Sequence, residues 1–303
     1  MSGRIAYQTI SGVNSDMKNN ANISASIHQR LLNKARAEKR SFNELAQYFA
    51  IERFLYRLSK STHSDRFILK GAMMLRAWQS PEMRPTKDID LLGKTNNDEL
   101  AITDQIKEII VTEVESDGLT FDPTSIKAER ITEDADYEGI RIRLNSYLGN
   151  MRIGIHIDIG FGDIVYPEPD LIQIPVILDL PIPNLYGYSR ESTIAEKFNA
   201  MIELGDLNSR MKDFYDIWLL SRQFKFDERT LADAIRITFA TRKTNIPKEV
   251  EAFTDRFIAL KQIQWTTFYK RLKSDQVPAD FKEVVYQVRD FLGSVIKIAR
   301  QLK

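Results

Sequence analysis

Apolar and polar positions alternate with different periods along the chain. Ile27, Leu31, Leu32 and Ala35 recur at helical spacing. Ser41-Phe-Asn-Glu44 then reads as a capping box, followed by Leu45, Tyr48, Phe49, Phe54, Leu55 and Leu58, which predict a second, deeply buried helix. "RFIL" (66–69) predicts a short strand leading through Lys70-Gly71 into a helix, "AMMLRAW", and then to a strand, "DIDLL". In "GIRIRLNSYL" (139–148) and "MRIGIHIDIGF" (151–161) apolar residues take alternate positions, and Gly149-Asn150 joins them as a hairpin. "QIPVIL" (173–178) predicts another strand within a segment holding Pro167, Pro169, Pro175, Pro181 and Pro183. Half of the ten prolines lie there, which marks a boundary. Beyond Ser189 the pattern is helical to the end. The expected organisation is a polar leader (1–22), a mixed α/β or α+β domain with an N-terminal helical pair (23–180), and a helical domain (181–303).

Within "RPTKDIDLLG" (84–93), Asp88 and Asp90 alternate with Ile89 and Leu91, so on a strand both acids share a face. Like charges so close repel unless something positive neutralises them. A divalent metal with a triphosphate is one solution, since hard oxygen ligands suit Mg²⁺. In "MRIGIHIDIGF" Ile153, Ile155, Ile157 and Ile159 share one face and His156 and Asp158 the other, so pairing beside DIDLL would bring Asp158 to Asp88 and Asp90. Three carboxylates can hold two ions about 3.5–4 Å apart. A solvent-facing edge strand with scattered acids gives the same local pattern.

Composition narrows the chemistry. There is no cysteine, which excludes disulfides, thiolate nucleophiles and Cys-based zinc sites. No run approaches the roughly 18 apolar residues of a membrane span, and the first two dozen residues lack the apolar core of a secretory signal. A cytoplasmic location and no membrane partner are expected. The net charge is +1, but Ser192–Lys303 carries 20 basic against 15 acidic residues, which permits a nucleic-acid partner there.

A Gly-containing turn after a strand, a helix, DxD and a lone Asp on a later strand resemble the polymerase-β-type nucleotidyltransferase core. More closely, "LKGAMML…RPTKDIDLLG", "IHIDIGFGD", "TIAEKFNAM" and "SRMKDFYDIWLL", in that order, resemble the AbiEii-type nucleotidyltransferase toxins. "SIHQRLLNKARAEKRSFNEL…IERFLYRL" is similar to that family's helical leader, so the resemblance spans roughly 23–222. It implies transfer of a nucleoside monophosphate from an NTP to a hydroxyl, with Mg²⁺ or Mn²⁺ in a two-ion site on Asp88, Asp90 and Asp158. It further implies a bacterial toxin of a toxin-antitoxin or phage-defence system. Such a toxin is expected to act on RNA, at the 3′ end of tRNA, and to be restrained by a separately encoded antitoxin. Lys197 is assigned to the triphosphate, and Asp213 and Asp216 to the catalytic cleft. Arg210 and Lys212 would grip phosphate or RNA. One departure is Gly71-Ala72-Met73, where the family has a hydroxyl residue. Gly71 still permits close phosphate approach, and Lys70 is a substitute cation.

Three readings of the residues stay open beside these. "SRMKDFYD" has the i,i+3 and i,i+4 charge spacing of any salt-bridged helix. Lys261, Lys270, Arg271 and Lys273, near Trp265, Phe268 and Tyr269, fit either an RNA-binding surface or a solvated basic face. His156 is expected to orient Asp158 rather than bind metal, and Gly160, Gly162 and Asp163 to form a turn. The rival functions are a protein-modifying (NMPylating) transferase and an inactive nucleotidyltransferase fold used for binding.

Overall fold

A computed structural model describes residues 6–80, 86–132, 138–272, 274 and 276–301. Arg84 and Pro85 of the DxD segment, and Lys273, lie outside the described residues. The chain runs α1 (Ala6–Glu38), α2 (Phe42–Lys60), β1 (Phe67–Lys70), α3 (Met73–Ala77), β2 (Asp88–Gly93), α4 (Glu99–Ile110), β3 (Leu119–Thr132), β4 (Glu138–Leu148), β5 (Met151–Phe161), β6 (Asp170–Gln173) and β7 (Asn184–Gly187). The helices α5 (Arg190–Leu204), α6 (Met211–Gln223), α7 (Glu228–Thr241), α8 (Asp255–Leu272) and α9 (Phe281–Gln301) follow.

Among the described residues the strands form one seven-stranded sheet in the order β3-β4-β5-β2-β1-β7-β6. The β4–β5 hairpin is antiparallel, β2 pairs parallel with β5, and β1 pairs antiparallel with β2. Alternation decides the faces. Ile153, Ile155, Ile157 and Ile159 of β5, with Ile89 and Leu91 of β2, pack into one core with Leu31, Phe49, Phe54 and Ile106 of α1, α2 and α4. Each fully buried aliphatic side chain contributes about 1.5–3 kcal/mol. The intervening residues face the other way, toward the helical layer, whose separate core includes Phe198, Phe214, Trp265 and Phe281. Five-residue α3 joins the two, since Met73 and Met74 enter the first core and Leu75 the second.

Two expectations are corrected. Ser41 is the N-cap of α2, but its side chain makes no capping bond, and Glu44 pairs with Arg40 at 2.7 Å instead. "QIPVIL" is not a strand. β6 ends at Gln173, Pro175 has no N–H to offer a ladder, and the Ile177 amide donates to Glu52 at 2.9 Å. The leader is helical from Ala6 onward.

Candidate active site

The sheet face turned toward the helical layer floors a cleft of about 1190 Å³. Its floor carries Asp88 and Asp90 of β2 and Asp158 of β5. The parallel register sets Asp90 directly beside Asp158 and Asp88 beside His156. Alternation thus brings the three predicted acids to one face, while their apolar neighbours are buried behind them. Asp88 is half-exposed. Asp90 packs against Gly71, which has φ +72°, and a Cβ built there would overlap the Asp90 carboxylate. Gly71 therefore makes room for an acid of the site itself. α3 has five residues and no side-chain cap at Ala72, so it offers little dipole to an anion.

Asp158 is not an open ligand. Arg141 of β4 donates to both of its oxygens, at 2.7 Å from Nε and 2.7 Å from Nη2. That pair holds the Arg141 guanidinium still more firmly charged than usual. His156 lies beside Asp88, with Nδ1 3.4 Å from Oδ1, and does not orient Asp158, which lies two residue pairs further along the register and is held by Arg141. Sequence reasoning missed Arg141, although the hairpin contained the signal. With Leu148 opposite Met151, counting seven residues along each strand sets Arg141 opposite Asp158.

Asp88 and Asp90 offer hard oxygens on one face and fit a divalent cation. The expected three-acid set is not assembled: no group of three acids or histidines among the described residues could hold a metal ion.

The helical wall supplies cations. Lys197 of α5 lines the cleft, with Nζ 3.1 Å from Asp213 and 2.8 Å from Asp216 of α6. Asp213 and Asp216, expected in the cleft, are fully buried and do not line it. They reach it through Lys197, and Asp213 also pairs with Arg210 at 2.8 Å. Arg210, Lys212 and Arg271 line the cleft near the exposed Ile263 of α8. Lys261 is buried, with its ammonium over the Phe257 ring, so it is no part of a basic surface. Lys70 is buried at the inner end of the cleft, 3.4 Å from Asp163 and 3.5 Å from Glu196. Arg242, following α7, forks onto the two oxygens of Asp163 at 3.2 Å each and lies 3.6 Å from Glu196. Asp163 is thus a buried ion-pair centre, more than a turn residue. Burial raises the Glu196 carboxyl, opposed by Lys70, and burial also raises the neighbouring Tyr188. These partners meet only in the tertiary fold.

The lining holds eight cationic side chains against four carboxylates, and Asp163, Asp213 and Asp216 behind it pair with four of those cations.

Residues 53–287 match the family of the nucleotidyl transferase AbiEii toxin of type IV toxin-antitoxin systems. That is more than half of the chain, and the chain belongs to this family. No curated protein matches it. Among solved structures it is similar to a candidate nucleotidyltransferase from H. pylori, with 13% identity, a TM-score of 0.47, and coverage of 91% of this chain and 96% of that one. It is also similar to JHP933 from Helicobacter pylori, with 14% identity, a TM-score of 0.47, and coverage of 82% and 90%. The protein is a nucleotidyltransferase of a toxin-antitoxin family.

Proposed function

We propose that the protein transfers a nucleoside monophosphate from an NTP to a hydroxyl of RNA, the 3′ end of tRNA being the favoured acceptor. The observation that carries this reading is one sheet face with Asp88, Asp90 and Asp158 at the floor of a cation-walled cleft. The acceptor oxygen bonds to the α-phosphorus, the bond to the β-phosphate bridge breaks, and pyrophosphate leaves. Asp88 and Asp90 would hold Mg²⁺, or Mn²⁺, and the metal when bound would neutralise charge on the reacting phosphates. Asp158 is the carboxylate nearest that pair for a third ligand or for the hydroxyl proton. Lys197, fixed by Asp213 and Asp216, presents its ammonium to the triphosphate. Arg210 and Lys212 then face phosphates nearer the mouth. The biological reading is a cytoplasmic toxin, with a role in phage defence, countered by a separately encoded antitoxin.

One observation favours a second reading. The Gly71-Ala72-Met73 turn has no hydroxyl to offer a phosphate, which a fold retained for binding would tolerate. Each labelled NTP with Mg²⁺ should be incubated with total RNA and, separately, with protein extract. Label on RNA that Asp88→Ala and Asp90→Ala each abolish is the expected result. Label on protein makes the enzyme an NMPylating transferase, and no label with any NTP supports the binding module.

A further inference from the structure

We propose that Arg141 is a phosphate-binding residue of the cleft that holds Asp158 only until a nucleotide arrives. This rests on the nucleotidyltransfer reading above. The Arg141 guanidinium takes both oxygens of Asp158 at 2.7 Å, yet its side chain is 35% exposed and lines the cleft. Asp158 itself is only 12% exposed, so the bidentate pair is partly buried and adds some stability, but the open side of the guanidinium leaves its fork within reach of a ligand. The pair does have a chemical consequence at this position. Asp158 stands beside Asp90 in the register, and a bound guanidinium repels a divalent cation approaching that carboxylate. Arg141 thus neutralises in advance the acid that an entering metal would need.

The same fork matches a phosphate as well as it matches a carboxylate. A triphosphate entering the cleft offers Arg141 a second partner across the same opening. Moving to it strips the guanidinium from Asp158 and removes the repulsion at once. Metal and triphosphate then favour each other through one side chain, a coupling that is reciprocal by necessity. An Arg that served only to tie β4 to β5 would carry no such coupling, because the ladder of ten residue pairs already holds those strands.

The test uses two probes on the whole chain, Mn²⁺ alone and inorganic tripolyphosphate in EDTA, both followed by calorimetry. Arg141→Gln should bind Mn²⁺ about tenfold tighter and tripolyphosphate about tenfold weaker. Asp158→Asn should do the reverse, with tripolyphosphate severalfold tighter because the fork is released. Arg141→Lys keeps a charge without the fork and should show both Arg141→Gln shifts at smaller size, which covers the case of a poorly folding glutamine variant. Shifts of the same sign for both probes, or none, make the pair merely structural and overturn the proposal. Asp88→Asn separates the two levels of the argument. If it leaves Mn²⁺ affinity intact, the carboxylate reading of the cleft fails, and the proposal with it. If it abolishes Mn²⁺ binding while the Arg141 variants move neither probe, only the proposal fails.

Discussion

Gly71 is the residue at which backbone and site chemistry meet. Its φ of +72° already disfavours any side chain, by about 1–2 kcal/mol, and a methyl group there meets the Asp90 carboxylate. Gly71→Ala should therefore lower stability by at least that amount, measured by urea unfolding, and also displace Asp90, so that Mn²⁺ binding drops more than stability alone explains. Glu52 poses a different question at the same scale. Burial pushes its carboxyl up from 4.5 to about 7, against Arg76 and the Ile177 amide, which favour the charged form. The native state therefore holds this proton more tightly than the unfolded chain does. The associated stability is present below pH 4.5 and is lost as pH rises toward 7, by about 3 kcal/mol. Unfolding free energy measured from pH 5 to 8 should fall in the natural protein and stay flatter in Glu52→Gln. Parallel curves would show that Glu52 is not the source.

Elements explain why part of this molecule was legible in the sequence. β2 and β5 announce themselves because each has one buried face, so isoleucine and acid must alternate, and the two-residue turn fixes the register of the β4–β5 hairpin. β3, β6 and β7 were not identified, since short or irregular strands bury too little to impose a period, and β3 shifts register between Asp122 and Lys127; α4 was missed although Asp98 caps it and Ile102, Ile106, Ile109 and Ile110 repeat at helical spacing. The spacing of α6 read equally well as a surface ion-pair helix. Only packing of α5 against α6 makes Asp213 and Asp216 buried counter-ions of Lys197. The prediction for Lys197 follows from that packing and differs from helix propensity, which favours alanine. Lys197→Ala leaves two buried carboxylates without their shared ammonium and should cost about 3–5 kcal/mol. Chemical denaturation checks it, and an unchanged midpoint would mean the pair is solvated in solution.

The described residues bury two large hydrophobic cores and a small cluster of Ile68, Leu92, Val165 and Tyr188. Leu75 of α3 is one connection between the large cores. The Lys70, Asp163, Glu196 and Arg242 cluster is another, and it draws on β1, the turn after β5, α5 and the residue capping α7. Asp163→Ala removes the carboxylate that Lys70 and Arg242 share. The expected outcome is uncoupling of the layers, seen by calorimetry as two unfolding transitions where the natural protein shows one. The cleft between those layers takes lining residues from Lys70 to Leu272, which sets an order in time. A ribosome making this chain at roughly 5–20 residues per second needs on the order of ten seconds between completing Asp158 and completing the last wall. A cell translating the message therefore holds, for that interval, a nascent chain whose acids are made and whose cationic wall is not. Until Leu272 has been added, the cleft lacks its last wall.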